Sequence, residues 1–480
     1  MGDNSLIFTF SGIRGIFGKD LNSDVAKKIA ISFGEWFNGK DKKIIIGRDT
    51  RPSGKIIEEG VIEGLIAAGF KVANVGICPT PIIIFAKNKL NIPAGIIITG
   101  SHNPQEWNGL KLLSSVTYLH NNDLEQISHL SNQVNLNNYR IEDQNIKKNV
   151  SSFSPISDYV QNLYKHLNIE KIRDNNNLKV IVDTGAGAGK YATPLILKGM
   201  GCEVEVINND LLVNKLFPRE IEPIKNNLKD LIMEVWQGNH DVGFAHDSDA
   251  DRLAIIGENG ICYPEDVGLA LIAEDYLKNN YSKAEEVTFI TNLASSLMFD
   301  VIAEKYDAEV IRTQIGEVFL VEKMQELMNI KNRGREKCFI FGGEGSCGGV
   351  MFPNFNNTRD GLFAAAKIVE ILVNSGEKIS KLVSKLPKYY SYRKNINLNP
   401  KDRALIINKV KQELIDEGEE VDHIGHDLRF SKEKEWFVLI HPSNTEPIIR
   451  VITEAKVDSL ARIYCEATTE LIKLVISNQK

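Results

Sequence analysis

Lys42-Lys43-Ile44-Ile45-Ile46-Gly47 is the stretch on which the fold turns. Three consecutive isoleucines between a basic pair and a glycine read as a short strand buried on both faces, since a half-solvated strand would alternate apolar with polar residues. A polar loop follows, and the apolar periodicity from Ser53 to Ala68 predicts a helix that Gly69 ends. Lys71 to Val75 is the next strand. The same grammar returns at Leu178 to Asp183 (LKVIVD), with a glycine-rich turn, a helix to Gly199 and a strand at Glu203 to Ile207. It returns again at Val287 to Thr291, with a helix from Ser295 to Lys305 and a strand at Ala308 to Arg312. Short apolar strands joined by single helices predict parallel strands with right-handed crossovers.

The end of the chain reads differently. Tyr389 to Leu398 and Glu435 to Ile440 alternate like half-exposed strands, and Lys401 to Asp416 and Lys456 to Ile476 have the periodicity of amphipathic helices. The expected fold is therefore three related α/β domains, with mainly parallel mixed sheets, followed by a C-terminal α+β domain. The boundaries are drawn at 1–149, 150–256, 257–385 and 386–480. The polar, Asn-rich stretch from Asn132 to Asn149 reads as a linker. A length of 480 residues suits three or four domains.

Composition narrows the function. With 43% apolar and 25% charged residues, the chain is neither disordered, collagen-like nor a disulfide scaffold. No apolar run approaches the ~20 residues that cross a bilayer. Met1-Gly2-Asp3-Asn4 lacks the basic start and apolar stretch of a signal peptide, which predicts a cytoplasmic protein. A net charge of −6 argues against nucleic-acid or membrane partners but leaves room for phosphorylated small molecules. Six cysteines without a C-x-x-C pair predict neither disulfides nor structural zinc.

Four loops carry candidate chemistry. Ala94 to Thr99 is a strand running into Gly100-Ser101-His102-Asn103-Pro104, which presents Ser101 at the carboxyl end of the sheet, where open α/β sheets bind ligands. Lys111 follows ten residues on, able to neutralise an anion. There is no G-x-S-x-G elbow, so a hydrolase nucleophile is excluded. Asp241 to Ala245 is a strand leading into His246-Asp247-Ser248-Asp249-Ala250-Asp251-Arg252. Two carboxylates ~4 Å apart repel by about 4 kcal/mol at an effective dielectric near 20, so three together call for a hard cation such as Mg²⁺ or for full solvation. An EF-hand is excluded because Arg252 stands where that loop needs glycine, and because the loop follows a strand. Gly342-Gly343-Glu344-Gly345-Ser346-Cys347-Gly348-Gly349 offers backbone and polar groups to sugar hydroxyls, and His441-Pro442-Ser443-Asn444-Thr445-Glu446-Pro447 with Arg450 makes a phosphate cradle. Each loop alone is equally an ordinary turn or a solvated acidic loop. One such loop per domain, each at the end of a strand, is far more specific.

These loops in this order resemble the α-D-phosphohexomutases, which include phosphoglucomutase/phosphomannomutase and phosphoglucosamine mutase. The resemblance extends to Phe10-Ser11-Gly12-Ile13-Arg14-Gly15 and Ile46-Gly47-Arg48-Asp49-Thr50-Arg51, and spans essentially the whole chain. It implies a four-domain, heart-shaped enzyme that interconverts hexose 1-phosphate and hexose 6-phosphate, of glucose and mannose ahead of glucosamine. A sugar-phosphate-binding protein without activity is the alternative from another class. The resemblance further implies a phosphoserine at Ser101, with Arg14, His102, Lys111 and Arg252 assisting as catalytic residues. Mg²⁺ would be held by Ser101, Asp247, Asp249 and Asp251. Glu344 and Ser346 would bind the sugar, and His441, Ser443, Asn444, Thr445 and Arg450 its phosphate. A hexose 1,6-bisphosphate is the implied activator, and a monomer or homodimer the implied assembly. Ser248 departs from the usual glycine of the metal loop, Asn444 from a glycine, and His441 from a common arginine. The sugar loop lacks the histidine that ends it in many bacterial members.

Overall fold

The isoleucine run divides its side chains between two layers. In a computed structural model describing residues 6–37, 39, 41–280, 286–331, 338–345, 348–443 and 447–478, the run is part of strand Lys43–Arg48. Ile44 and Ile46 pack on one side with Ile29, Phe33, Ile57 and Val61, from helices Ser23–Trp36 and Gly54–Ala67. Ile45 points to the other side, among Ile82, Ile83 and Ile97. A strand covered on both faces has no solvated side, and the continuous apolar run follows from that.

This strand is paired in parallel with Ala94–Ile98 and Lys71–Ile77. The seven-stranded sheet then continues antiparallel through Trp107–Leu113, Gly12–Ile16 and Ile7–Thr9. Its opposite edge lies directly after the stretch read as a linker. Asp143–Asn149 is a helix, and Val150–Ser152 pairs in parallel with Lys71–Ile77 as the seventh strand. The added strand occupies the backbone ladder that Lys71–Ile77 would otherwise leave open. Residues 150–152 thus lie in the first sheet, just past the boundary drawn at 149.

The second sheet orders Ala254–Gly257, Val242–Ala245, Lys179–Asp183 and Glu203–Ile207, all parallel except the first. The third orders Glu309–Thr313, Glu286–Asn292 and Cys338–Gly343 in parallel, then Val350–Phe352 and Asn356–Asp360 antiparallel. Its helix begins at Met298, later than Ser295, because Asn292 accepts from the Ala294 N–H (3.0 Å) and Ser295 bonds the Asn292 side chain. Asn and Ser side chains that bond the nearby backbone compete with helix formation in this way. The fourth sheet is wholly antiparallel, in the order Tyr390–Asn397, Ile448–Ala455, Trp436–Pro442, Asp427–Lys432 and Asp422–Ile424. Helices Arg403–Asp416 and Asp458–Ser477 cover it.

Cys78, Cys202, Cys262, Cys338 and Cys465 are free thiols. Among the described residues no helix is long and apolar enough to cross a membrane.

Candidate active site

Where strand Ala94–Ile98 ends, the chain turns sharply, and Ser101 itself takes a left-handed conformation (φ 48°). Such a conformation is costly for a serine and persists only where surrounding bonds over-determine it. The fully buried guanidinium of Arg51 supplies many of those bonds. It donates to the carbonyls of Ser101 (2.7 Å), Asn103 (2.6 Å), Pro104 (2.7 Å) and Trp107 (2.9 Å), and to Asp49 (3.1 Å). Asp49 also accepts from Thr99 Oγ1 (2.7 Å), whose oxygen in turn accepts from the Ser101 N–H (2.8 Å). The side chain of Ser101 is thereby aimed at the second unit, and its Oγ donates to Asp247 Oδ2 at 3.0 Å.

Asp247, Asp249 and Asp251 are buried and bring ligand oxygens within 4.8 Å of one another. Lys111 Nζ donates to Asp249 (2.7 Å) and Asp251 (3.0 Å), and Thr80 Oγ1 donates to Asp249 (2.6 Å). Asp249 Oδ1 and Asp251 Oδ1 are buried without a hydrogen-bond partner. Buried, unsatisfied carboxylate oxygens beside a third carboxylate are the donor set a hard divalent cation fits, so the triad is able to hold a metal ion. Burial, reinforced by the charges of Asp249 and Asp251, pushes the Asp247 carboxyl up to about 8. Asp251 is held below the usual carboxylate range because, against its burial, Arg359 and Lys111 face it. Burial works against the charge on Lys111, but Asp249 and Asp251 outweigh it and keep the ammonium above its ordinary value.

Ser248 turns out to bridge two loops. Its Oγ lies 2.8 Å from both Asp49 Oδ2 and the Ser101 carbonyl, so the serine adds a tie between the metal and nucleophile loops.

Around this core, Arg14 on strand Gly12–Ile16 bonds the Asn103 side chain, and burial lowers its guanidinium to about 10. Arg252 reaches His102 Nδ1 (2.9 Å) and Glu222 (3.2 Å). Burial, together with the neighbouring Arg252 and Arg14, holds the His102 imidazole well below its ordinary range, so it is neutral. Glu344, at the end of strand Cys338–Gly343, accepts from Asn292 (3.0 Å), the Gly316 N–H (3.1 Å) and Arg359 (3.1 Å). His441 lies opposite Arg450 in the fourth sheet and turns Nδ1 onto Asp427 (2.6 Å).

Ser101, Arg14, His102, Lys111, Arg252, Glu344, His441, Ser443 and Arg450 line one cleft of about 590 Å³, to which strands of the first, third and fourth sheets contribute and the second unit gives Arg252 from the loop after Val242–Ala245. The Asp triad lies behind Ser101 and Lys111. Ser346, Asn444 and Thr445 lie outside the described residues. Thr80, Glu317 and Arg359 join the site with no motif to announce them, and Asp49 and Arg51 take a structural part in it. A charged pair directly after a buried strand was the available signal for those last two.

Three family models match this chain. They are phosphoglucomutase/phosphomannomutase alpha/beta/alpha domain I over residues 5–136, domain II over 157–260 and domain III over 264–390. The chain is 34% identical to the phosphoglucomutase/phosphomannomutase of Thermococcus kodakarensis, over 97% of this chain and 98% of that one. It is 31% identical to a probable phosphoglucosamine mutase of Pyrococcus horikoshii, over 98% of each. Among solved structures, a phosphoglucomutase/phosphomannomutase family protein from Burkholderia thailandensis superposes with a TM-score of 0.82 at 25% identity, covering 99% of this chain and 98% of that one.

Proposed function

The chain belongs to the α-D-phosphohexomutase family and is a phosphohexomutase, and from that premise we propose that it interconverts the 1- and 6-phosphates of glucose and mannose through a phosphoserine at Ser101. A phosphoryl group on Ser101 Oγ passes to a hydroxyl of the bound hexose monophosphate. The P–Oγ bond breaks, a P–O bond to the sugar forms, and the hydroxyl proton leaves to a base in the cleft. The resulting hexose 1,6-bisphosphate turns over, and its other phosphoryl group returns to Ser101 with the proton flow reversed.

The protein's own share is positioning and charge. Arg51 and Asp49 fix the Ser101 turn, and Arg14, Lys111 and Arg252 present cations to the moving phosphoryl oxygens. His102 supplies an uncharged imidazole beside them. Glu344 and Ser346 take sugar hydroxyls, and His441, Ser443, Asn444, Thr445 and Arg450 take the phosphate that does not react. Asp247, Asp249, Asp251 and the Ser101 oxygen would hold Mg²⁺, which would supply neutralisation of charge on the transferring group. A hexose 1,6-bisphosphate serves as activator because it can load Ser101.

The observation that carries this reading is Ser101 Oγ, which lines the cleft, at 3.0 Å from Asp247 of the buried carboxylate triad behind it. The name of the Pyrococcus horikoshii relative favours a second reading, glucosamine phosphate as the sugar. A ³¹P NMR time course with Mg²⁺, catalytic hexose 1,6-bisphosphate and the 1-phosphates of glucose, mannose and glucosamine in separate tubes tests both. Signal should move to the 6-phosphate, fastest for glucose or mannose. Release of free phosphate instead, or no change in any tube, would overturn the mutase mechanism.

A further inference from the structure

Strand Asn356–Asp360 alternates buried and half-buried residues, and Arg359 is on its half-buried face, at the wall of the cleft. Its guanidinium spreads over three carboxylates from three separate segments. Nη2 donates to Asp251 Oδ2 at 3.0 Å, Nη1 to Glu344 Oε2 at 3.1 Å, and Nε to Glu317 Oε2 at 3.1 Å. The backbone N–H of Arg359 donates to the remaining Glu317 oxygen at 2.8 Å, so Glu317 grips both the main chain and the fork. All three carboxylates are buried. A side chain on Gly349 would run into the Asp251 carbonyl (2.4 Å) and Arg359 Cβ (3.0 Å), so the absence of one there lets the two loops close together.

We propose that Arg359 is a positioning residue that holds Asp251, at the metal end of the cleft, and Glu344, at the sugar end, in one fixed relation. What binds at those ends rests on the phosphohexomutase reading. A guanidinium is planar and its donors are fixed in angle, so two carboxylates bonded to one fork cannot reorient independently. Lysine carries the same charge on a single rotatable point and cannot hold three carboxylates in set directions. Arg359→Lys therefore separates orientation from charge, because the electrostatic attraction of the triad for a cation is left nearly constant.

The test uses the full chain and two readouts that need no turnover. Calorimetry with Mn²⁺ or Mg²⁺ alone gives the metal Kd, and calorimetry with glucose 6-phosphate gives the sugar-phosphate Kd. In Arg359→Lys the metal Kd should weaken about tenfold, as losses beside metal ligands do, and the sugar-phosphate Kd by a similar factor. The KM should rise about tenfold while kcat at saturating metal and substrate falls no more than about threefold. Glu317→Gln, which loosens the fork and leaves its other two partners in place, should move both constants in the same direction by less. If Arg359→Lys changes only one of the two Kd values, or only lowers Tm, the positioning role is overturned. Should the wild-type chain turn over none of the sugars, the parent reading fails, and the metal and sugar-phosphate titrations still decide the role of Arg359.

Discussion

The two ends of the cleft are built by different means. At the nucleophile end, polar bonds cross from the first unit to the second. Thr80 and Lys111 reach Asp249, Lys111 reaches Asp251, Ser101 reaches Asp247, and Ser248 returns to Asp49. At the phosphate end, His441 bonds Asp427 and Arg403 bonds the Ser443 carbonyl, both within the fourth unit. That unit is docked on the third through an apolar patch of Leu293, Ala294 and Leu297 against Phe437, Leu439 and Ile452. At the first junction, therefore, the groups proposed for the chemistry also join the units. At the second, the joint combines that apolar patch with the bond from the Leu297 N–H to Glu454, and both lie apart from the groups proposed to bind phosphate. Loss of the Lys111 ion pairs at the nucleophile end should thus cost activity and stability together, and a substitution at the phosphate end should cost affinity alone.

The largest expected effect tests the chemistry by itself. Ser101→Ala removes the oxygen proposed to carry the phosphoryl group, and turnover should fall by on the order of 10⁴-fold or more. The loop remains held by Arg51, so its melting temperature should stay near that of the wild type. ³¹P NMR against thermal melts checks both halves, and activity like wild type would remove the phosphoserine from the mechanism. Lys111→Met tests the joint. Loss of the ammonium leaves Asp249 and Asp251 without their shared cation in a buried setting, a change worth about 3 kcal/mol. Added Mg²⁺ should restore part of that stability. Melts with and without the metal check this, and an unchanged melting temperature without metal would mean that Lys111 does not join the units.

How far the sequence reveals this site depends on how far its bonds travel along the chain. Ile44 to Ile46 announce a buried strand because the evidence is local, one residue beside the next. Ser101 and the three aspartates are legible for a related reason, since each loop directly follows a recognisable strand. The bonds that fix them are not local. Lys111 meets Asp249 and Asp251, Ser248 meets Asp49, and Arg359 meets Asp251, each across more than a hundred residues. No periodicity or spacing encodes such a meeting, so Thr80, Glu317 and Arg359 went unassigned. The Asn-rich stretch ending at Asn149 likewise does not announce the strand that follows it. Its composition is that of a linker, and only the open edge of Lys71–Ile77 recruits Val150–Ser152 into the sheet.

A smaller effect belongs to the phosphate end. Arg450 faces the cleft from strand Ile448–Ala455 beside His441. A charge-assisted bond to phosphate is worth about 1.5 to 3 kcal/mol, so Arg450→Ala should raise KM by about tenfold or more. The kcat should change much less, because uniform binding is what is lost. Steady-state kinetics checks the split. A fall in kcat as large as the rise in KM would place Arg450 in the chemistry and weaken the contrast between the two ends.

The smallest effect concerns the joint between the third and fourth units, and it can be read from pH. Glu454 accepts from the Leu297 N–H at 2.7 Å across that joint, and burial, with Asp266 nearby, pushes it up to about 7. Asp266 is raised to about 6 by burial, partly offset by Arg393 and Arg312, while Glu265 adds to the rise. Both groups hold their protons more tightly in the folded chain than in the unfolded one. Their favourable contribution is therefore complete below the ordinary carboxylate range, and it is lost as pH rises through about 6 and 7. Stability should fall by on the order of 1 kcal/mol between pH 5.5 and 8, measured with saturating Mg²⁺ so that the aspartate triad stays ionised throughout. Glu454→Gln keeps an oxygen for the Leu297 N–H and removes the titration, so it should raise the melting temperature at pH 8 and flatten the profile. A slope unchanged in that variant would move the titrating group elsewhere, and the third–fourth joint would then rest on its apolar patch alone.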